Sequence, residues 1–318
     1  MIRLKYLVTG GVGFIGFHTA KKLKELGNQV VVIDNFSDYY DVKLKNHRAK
    51  LLKGIKIYNV DIADFDAVDK IFKKEKFDRV CHLAAQAGVR YSMINPHIYI
   101  RTNIQGTLNI LECAKKYGIK DVVLASSSSV YGKNKKIPFS EDDKVDTPVS
   151  LYAQTKRSNE LLGFTYHHLA GMNITCLRFF NVYGPHIRPD MAPWLFTKNI
   201  LADKPINVFN YGKMKRDFTY VADIVDGIVK ALEKPMGYQI INLGNNKPVE
   251  LTYVITLIEK NLGKTAKKNM LPMQPGDVEN TWADISKAKK LLGWQPTTSI
   301  EDGMAEFIKW YKEYHNLK

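Results

Sequence analysis

The stretch L-K-Y-L-V-T-G-G-V-G-F-I-G, from Leu4 to Gly16, decides the fold of this 318-residue chain. Leu4–Thr9 has the apolar character of a short buried strand, and an amphipathic helix follows as far as Leu26. Glycines between a strand and a helix let the backbone turn tightly and approach a pyrophosphate, and the N–H groups at the start of the helix attract that anion. The stretch therefore predicts a dinucleotide-binding unit whose turn is formed by Gly10, Gly11, Gly13 and Gly16.

A second predicted strand, Gln29–Ile33, ends directly before Asp34. An acidic residue about 20 residues after such a glycine turn bonds the ribose hydroxyls of NAD, and its charge repels the 2′-phosphate of NADP. A strand-end turn is the other ordinary setting for an aspartate. We expect Asp34 to bind ribose and the cofactor to be NAD.

Strand and helix patterns alternate over the first 180 residues, and this alternation predicts an α/β protein with a doubly wound parallel sheet, the Rossmann fold. Further strands are predicted at Ile55–Asn59, Arg79–Leu83, Asp121–Ser126 and Ile174–Arg178. After Phe180 the pattern becomes irregular, which indicates a smaller C-terminal substrate-binding lobe. We expect residues 1–180 to form the NAD-binding domain and residues 181–318 the lobe, with 217–240 returning to the first domain.

Tyr152 and Lys156 lie four residues apart in S-L-Y-A-Q-T-K, after a predicted strand that runs into Ser126. The apolar positions of Leu151–Ala170 predict a helix, on which residues i and i+4 share one face. A free tyrosine titrates near pH ~10 and is a poor base unless a nearby cation favours its phenolate; Lys156 is placed to be that cation. An amphipathic helix also produces this spacing by chance, so the pair indicates redox chemistry only in company with the glycine turn.

Further motifs accompany these two features along nearly the whole chain. They are D-I at Asp61, H-L-A-A-Q from His82, N-I-Q-G-T from Asn103, S-S-S-S-V-Y-G from Ser126, R-F-F-N-V-Y-G-P from Arg178, R-D-F-T-Y-V from Arg216 and P-G-D from Pro275. With them the chain resembles the extended short-chain dehydrogenase/reductase superfamily, in its nucleotide-sugar epimerase branch. The resemblance implies NAD as cofactor and a UDP-sugar as substrate.

The resemblance also assigns roles to single residues. It implies a catalytic trio of Ser127, Tyr152 and Lys156. It implies a cofactor site formed by Gly10, Gly13, Phe14, Ile15, Gly16, Asp34, Asn35, Asp61, Ile62, Ala84, Ala85, Gln86, Asn103, Ser126, Tyr152, Lys156 and Phe179. It implies substrate contacts from Arg90, Ser127, Ser128, Tyr152, Asn181, Arg188, Arg216 and Asp277, and no metal site. For Arg90, an ordinary surface position is the open alternative.

Within this branch the chain is most similar to the UDP-glucuronate 4-epimerases. The similarity rests on F-S-D-Y-Y-D-V-K-L-K from Phe36, A-G-V-R-Y-S from Ala87 and G-P-H-I-R-P-D-M-A from Gly184. It implies epimerisation of UDP-glucuronate to UDP-galacturonate through a transient 4-keto intermediate, with Arg188 on the sugar carboxylate. A structural arginine that braces its loop is the alternative for Arg188.

Two positions depart from that pattern and keep other functions open. Asn181 stands where many glucuronate enzymes have threonine and glucose/galactose enzymes have asparagine, whereas Gln274 stands where the latter usually have arginine. A UDP-glucose/UDP-galactose or UDP-N-acetylhexosamine 4-epimerase is therefore the alternative function. A non-catalytic NAD-binding protein is the second alternative, although it has no need to keep the catalytic trio together.

The serine run argues against elimination chemistry. Related dehydratases and decarboxylases have an acidic residue just after the hydroxyl residue of this segment, but this chain has Ser128 and Ser129 there. Without an acid at that place, loss of a 6-substituent or assisted loss of carbon dioxide lacks an obvious proton carrier. Simple epimerisation fits better.

Composition indicates a single cytoplasmic enzyme. Lys and Arg number 47 against 32 Asp and Glu, but the lysines are scattered, so we expect a solvated surface and no nucleic-acid partner. The three cysteines lie in apolar contexts without metal-ligand spacing and are expected to be reduced core thiols. The sequence has neither a signal-peptide pattern before the first strand nor an apolar stretch near ~20 residues, so we expect neither export nor membrane association.

Two predicted long helices, Tyr99–Lys116 and Leu151–Ala170, carry apolar faces. The resemblance implies that such a pair joins its mate in a four-helix bundle. We therefore expect a homodimer, with core packing inside one chain as the alternative use of these faces.

Overall fold

A computed structural model describes residues 3–273 and 279–317. Its strands are β1 (Lys5–Thr9), β2 (Gln29–Asp34), β3 (Lys56–Asn59), β4 (Arg79–His82), β5 (Asp121–Ser127), β6 (Asn173–Phe179), β7 (Asn181–Tyr183), β8 (Ile206–Val208), β9 (Lys215–Arg216), β10 (Phe218–Tyr220), β11 (Tyr238–Leu243), β12 (Val249–Glu250), β13 (Lys268–Met270) and β14 (Asn280–Thr281). Its α-helices are α1 (Phe14–Glu25), α2 (Val42–Leu51), α3 (Phe65–Glu75), α4 (Val89–Ile94), α5 (Pro96–Tyr99), α6 (Gly106–Lys116), α7 (Leu151–Ala170), α8 (Ala192–Leu201), α9 (Val221–Glu233), α10 (Leu251–Leu262), α11 (Ser286–Leu292) and α12 (Ile300–Tyr314).

A sheet of seven parallel strands forms the centre of the protein, in the order β11-β6-β5-β4-β1-β2-β3. Leu7, Val8 and Val32 in its middle are fully buried, as expected for strands that helices cover on both faces. The α1 and α9 helices pack on each other on one face, and α3 and α6 on the other. The predicted doubly wound α/β fold is confirmed. Because the strand order reverses between β1 and β4, a crevice opens at their carboxyl ends.

The sheet contains one strand that the sequence did not predict. Tyr238–Leu243 pairs with β6, from Tyr238 opposite Ile174 to Leu243 opposite Phe179, and so extends the sheet at its edge. This strand extends past residue 240, and the return of 217–240 to the first domain stays a prediction. The division of the chain into two domains at residue 180 stays a prediction.

The predicted helix Tyr99–Lys116 differs in detail from the observed one. The α5 helix begins at Pro96, and a wider π-helical turn, Ile100–Gln105, joins it to α6. Such turns often occur at functional sites. This one contains Asn103, whose side chain is fully buried.

The residues after Phe180 add short sheets and helices beside the carboxyl edge of the large sheet. The β10 strand pairs with β7, β9 lies between β12 and β14, and β13 pairs with β8. The α10 helix packs against α8 and α12. The loop after β7 carries Arg188, which lines the cavity in the crevice.

Candidate active site

One cavity occupies the crevice and brings together most of the predicted site residues. It is lined by Gly10, Gly13, Phe14, Ile15, Gly16, Asp34, Asn35, Asp61, Ile62, Ala84, Ala85, Gln86, Ser126, Ser127, Tyr152, Lys156, Phe179 and Arg188. Residues distant in sequence therefore meet where β1, β2, β4 and β5 end. This is the place where open α/β sheets bind their ligands.

The glycine turn has no room for larger side chains. Gly10 has a φ of +67°, which favours glycine, and its N–H donates to the Ile33 carbonyl at 2.7 Å. A Cβ atom added to Gly13 or Gly16 would lie 2.9 or 2.1 Å from the Gly10 carbonyl oxygen. The turn leads directly into α1 at Phe14, so unpaired N–H groups of that helix face the cavity edge.

The Asp34 carboxylate is buried at the end of β2 and bound to the glycine turn. Its Oδ2 accepts a hydrogen bond from the Val12 N–H at 3.1 Å, and Oδ1 accepts one from the Phe36 N–H at 2.9 Å. Burial raises the pKa of Asp34, while the charge of Lys45 and these two N–H groups act in the opposite direction. Each carboxylate oxygen keeps a further lone pair for a ligand hydroxyl.

Arg101 also lines the cavity, and the sequence did not predict it. Its Nη2 lies 2.9 Å from Oδ2 of Asp61, and both residues line the cavity. The Asp61 Oδ1 also accepts a hydrogen bond from the Ala63 N–H at 2.9 Å. The residues next to Arg101 in the sequence give no signal of this contact. The contact joins the connection after β3 to the connection after β4.

Asn103, a predicted cofactor ligand, lies behind the cavity wall. Its Oδ1 accepts a hydrogen bond from the Gln86 N–H at 2.7 Å, and its Nδ2 donates to the Gln86 carbonyl at 3.0 Å. The same Nδ2 donates to Thr155 Oγ1 at 3.0 Å. Asn103 therefore ties the loop after β4 to α7, and Gln86 is the member of this group that lines the cavity.

Ser127, Tyr152 and Lys156 lie together at the end of β5 and in the first turns of α7. Ser150 caps this helix by accepting a hydrogen bond from the Ala153 N–H at 3.1 Å. The Lys156 Nζ donates to the Ala125 carbonyl at 2.7 Å and lies 6.0 Å from the centroid of the Tyr152 ring. The predicted proximity of the two side chains is therefore observed, and the ammonium is anchored to the strand that carries Ser127.

The electrostatic environment of Tyr152 differs from the sequence-based expectation. Burial raises the pKa of Tyr152, while the positive charge of Arg188 and a hydrogen bond with Ser127 act against this rise. Burial also lowers the pKa of Lys156 to about 8. The sequence motif assigned the stabilising cation to Lys156 alone, whereas the folded chain brings Arg188 to the same tyrosine.

A buried ion pair supports the strand end behind this trio. The Arg178 Nε and Nη2 donate to the two carboxylate oxygens of Glu160 at 2.8 and 2.9 Å, and the Ser126 hydroxyl donates to Glu160 Oε1 at 2.6 Å. Such bidentate pairs are geometrically specific. They hold β5, β6 and α7 together next to Ser127.

Arg188 enters the cavity from the loop after β7. Gly184 begins this loop at a φ of +138°, and the Ile187 N–H donates to the Gly184 carbonyl at 3.2 Å. The Arg188 Nη2 lies 3.3 Å from Oδ2 of Asp190. Its side chain is 21% exposed, which leaves the guanidinium accessible from the cavity.

Four predicted substrate residues lie outside the cavity lining, and a fifth lies outside the described residues. Arg90 is exposed, with its guanidinium 5.3 Å from the Phe209 ring centroid, and the Arg216 Nη1 donates to the Glu279 carbonyl at 2.8 Å. Ser128 begins the 3-10 turn after β5, and Asn181 begins β7. Asp277 belongs to residues 274–278, which lie outside the described part of the chain.

The sequence missed other residues that line the same cavity. They are Ser37, Tyr39, Tyr40, Lys45, Val60, Leu83, Ala87, Ile98, Arg101, Thr102, Ala125, Phe180, Val182 and Met191. Several belong to the stretch from Phe36 and to the loop that ends at Met191, which were used only for the resemblance. The sequence therefore marked these stretches as motifs, but it did not show that their side chains line the cavity.

Two general features of the described residues bear on function. Within 3–273 and 279–317, no group of three or more His, Cys, Asp or Glu side chains is arranged to hold a metal ion. No helix in that part of the chain is both long and apolar enough to cross a membrane.

The chain is similar to a family model and to known proteins over nearly its whole length. A family model described as GDP-mannose 4,6 dehydratase matches residues 7–307. The UDP-glucuronate 4-epimerase of Thermodesulfobacterium geofontis is 49% identical over 312 residues, which cover 97% of this chain and 96% of that protein.

Two solved structures superpose on nearly the whole chain. A UDP-glucuronic acid 4-epimerase from Bacillus cereus, in complex with UDP-glucuronic acid and NAD, has a TM-score of 0.92 and 38% identity, and the match covers 98% of this chain and 100% of that one. A UDP-glucose 4-epimerase from Thermotoga maritima with UDP-glucose has a TM-score of 0.91 and 32% identity, again with 98% and 100% covered.

Proposed function

Because the chain belongs to the family described by the GDP-mannose 4,6-dehydratase model, as an extended short-chain dehydrogenase/reductase, we propose that it is an NAD-dependent nucleotide-sugar 4-epimerase. Its proposed reaction converts UDP-glucuronate to UDP-galacturonate through a transient 4-keto sugar. The observation that carries this proposal is that Asp34, Tyr152 and Arg188 line one cavity.

The first part of the cavity fits NAD. Even a Cβ atom at Gly13 or Gly16 would collide with the Gly10 carbonyl oxygen, so the bare turn lets a pyrophosphate approach the backbone at the start of α1. Asp34 would accept hydrogen bonds from the ribose, and Ile62 would contact the adenine. Bound there, NAD supplies the acceptor and then the donor of a hydride at C4 of the sugar.

Tyr152 would act as the acid–base group. Its phenolate would accept the proton of the sugar 4-hydroxyl and return a proton in the second half of the reaction. Ser127, within hydrogen-bonding reach of Tyr152, would share the bond to that hydroxyl. The ammonium of Lys156, anchored on the Ala125 carbonyl, favours the phenolate form.

Epimerisation demands that the keto sugar turn over before hydride returns, so that the opposite face is reduced. No outside oxidant is consumed, because the cofactor ends the cycle as it began. The residues near Tyr152 must therefore bind two orientations of one ring.

The acidic side chains of the cavity favour epimerisation over dehydration. Among the described residues, the carboxylates that line the cavity are those of Asp34 and Asp61. Asp34 accepts a hydrogen bond from the glycine turn and Asp61 pairs with Arg101, whereas the Ser127 hydroxyl donates to the Ser129 hydroxyl at 3.1 Å. The serine run therefore has hydroxyl groups at the place where elimination would need an acidic residue to carry a proton.

Arg188 supports glucuronate as the sugar. A planar guanidinium matches a carboxylate through two charge-assisted bonds. It would also hold the carboxylate of the 4-keto intermediate away from alignment with the ketone, and so suppress loss of carbon dioxide from this β-keto acid.

A neutral UDP-hexose is the alternative substrate. It is favoured by Asn181 and by the likeness to a UDP-glucose 4-epimerase. Incubation of purified protein with UDP-glucuronate, UDP-glucose and UDP-N-acetylglucosamine, followed by separation of the products, tests the two functions. Preferred turnover of a neutral sugar would reject the glucuronate assignment, and no turnover of any sugar would leave the non-catalytic NAD-binding alternative.

Purified protein is expected to carry NAD and to work without added cofactor. Asp34→Asn should weaken NAD binding by about 10- to 100-fold, the effect of losing charged hydrogen bonds of roughly 1.5–3 kcal/mol, and should improve binding of NADP relative to NAD. Fluorescence titration of the stripped protein measures both affinities. Asp66→Ala, which removes an exposed carboxylate on α3, is the control, and recovery of NADP from the wild type would contradict the assignment.

We also propose a homodimer formed through α6 and α7. Leu161 and Phe164 on α7 are 52% and 53% exposed, and Leu108 on α6 is 38% exposed, so both helices present apolar side chains to solvent. Phe164→Glu should shift the mass measured by light scattering towards the 36.3 kDa monomer. Leu51→Glu, at an exposed leucine of α2, is the matched control. A wild-type mass near 36 kDa at micromolar concentration would overturn this proposal.

Cytoplasmic localisation completes the proposal. Cys81, Cys113 and Cys176 are all buried and unpaired. Reduced thiols of this kind are typical of proteins in a reducing compartment.

A further inference from the structure

The two sequence stretches that carry the resemblance to glucuronate enzymes meet at the mouth of the cavity. The Tyr39 hydroxyl, from the stretch that begins at Phe36, donates to Oδ2 of Asp190 at 3.1 Å. The same oxygen lies 3.3 Å from Arg188 Nη2. Tyr39 and Arg188 both line the cavity, so the carboxylate of Asp190 is bound to two groups that face the ligand space.

We propose that Asp190 is an internal counter-carboxylate that competes with the sugar carboxylate for Arg188 and thereby sets how tightly the enzyme holds its substrate. This inference rests on the proposed function, because it concerns the grip of Arg188 on UDP-glucuronate. Asp190 thereby helps to determine substrate specificity, a role distinct from cofactor binding at the glycine turn and from proton transfer at Tyr152.

The backbone of the Arg188 loop has a support other than Asp190, because a buried arginine donates a hydrogen bond to it. Arg48 of α2 is fully buried, and its Nη2 donates to the His186 carbonyl at 2.6 Å. Its Nη1 donates to the Val12 carbonyl of the glycine turn at 3.0 Å and to the Tyr40 hydroxyl at 2.7 Å. Loss of the Asp190 charge should therefore change the electrostatics of Arg188 and leave its loop in place.

Competition between the two carboxylates for Arg188 would help the keto sugar to turn over. The sugar carboxylate is attached to the ring, so it must leave its first position when the keto sugar turns over. A guanidinium without another anion would hold that carboxylate strongly and oppose the turn. With Asp190 beside it, two like charges share one cation, so substrate binding weakens, and Arg188 keeps a partner while the substrate carboxylate moves.

The test is Asp190→Asn, which removes the charge but keeps the shape and an acceptor oxygen for the Tyr39 hydroxyl. We expect the KM for UDP-glucuronate to fall by about two- to fivefold, the scale for one partly exposed ion pair. The kcat should fall as well, because the tighter grip slows the turn of the ring. Both constants for UDP-glucose should stay within about twofold, since a hydroxymethyl group carries no charge.

Asp203→Asn is the matched control, because Asp203 forms an ion pair with Lys264 at 2.8 Å and does not line the cavity. It should leave all four constants unchanged. Equilibrium titration of both variants with the two UDP-sugars measures the same preference without turnover. Turnover by the wild type tests the proposed epimerase activity. The ratio of the affinities of the Asp190→Asn variant for the two UDP-sugars separately tests the role of Asp190 as a counter-carboxylate.

Three results would overturn the proposal. An unchanged preference would mean that Asp190 does not influence Arg188. A rise in KM or in the dissociation constant for UDP-glucuronate alone would mean that Asp190 orients Arg188 for binding and does not compete. An equal change for both sugars would mean that the variant disturbs the loop as a whole.

Discussion

Replacement of Tyr152 by phenylalanine is expected to lower kcat by about 10²- to 10⁴-fold, the usual contribution of a general acid–base group. The variant loses one oxygen, the atom proposed to accept and return the proton of the sugar 4-hydroxyl. Because Tyr152 is half-buried and burial raises its pKa, its phenolate depends on the surrounding cations. Product separation after incubation with UDP-glucuronate measures the loss.

NAD binding and the thermal transition of this variant should match the wild type, since the ring remains to fill its place. Tyr253→Phe, which removes an exposed hydroxyl bound to Glu301, is a control that should keep full activity. Lys156→Ala should lower activity and also weaken NAD binding. Retention of more than about half the wild-type rate by Tyr152→Phe would assign the base to another group.

Replacement of Arg188 by alanine should reduce kcat/KM for UDP-glucuronate by about 10- to 100-fold more than for UDP-glucose. Charged hydrogen bonds contribute roughly 1.5–3 kcal/mol, and only the carboxylate sugar can form them with this guanidinium. Since the charge of Arg188 also acts against the raised pKa of Tyr152, a smaller loss common to both sugars is expected in addition. Steady-state kinetics with the two sugars measures the ratio.

The products of the Arg188 variant provide a second readout. Without the guanidinium, the carboxylate of the 4-keto intermediate is free to rotate into alignment with the ketone, so carbon dioxide and a 4-keto pentose product should appear. Arg188→Lys is the matched variant, because it keeps the charge but loses the planar fork and should recover only part of the preference. An equal loss on both sugars without carbon dioxide would return Arg188 to a structural role and favour glucose/galactose epimerisation.

The local patterns of the sequence were sufficient for the fold class and for the centre of the candidate site. The glycine turn, Asp34 at the end of its strand and the spacing of Tyr152 and Lys156 each depend on only a few neighbouring residues. Backbone geometry acts over that same range, because a strand, a tight turn and the face of a helix are defined within a few residues. These residues accordingly line one cavity in the folded chain.

Only the tertiary structure decided which distant segments of the chain contact each other. β11 joins the sheet beside β6, Asn103 bonds the backbone of Gln86 behind the cavity wall, and Asp190 joins Tyr39 to Arg188. Such contacts form only when the helices and strands pack together. A buried polar group without a hydrogen-bond partner costs free energy, so packing selects the arrangement in which these groups are paired. By itself the sequence predicted the glycine turn, the carboxylate of Asp34 beside it and the proximity of Tyr152 to Lys156, whereas packing determined which charges surround them.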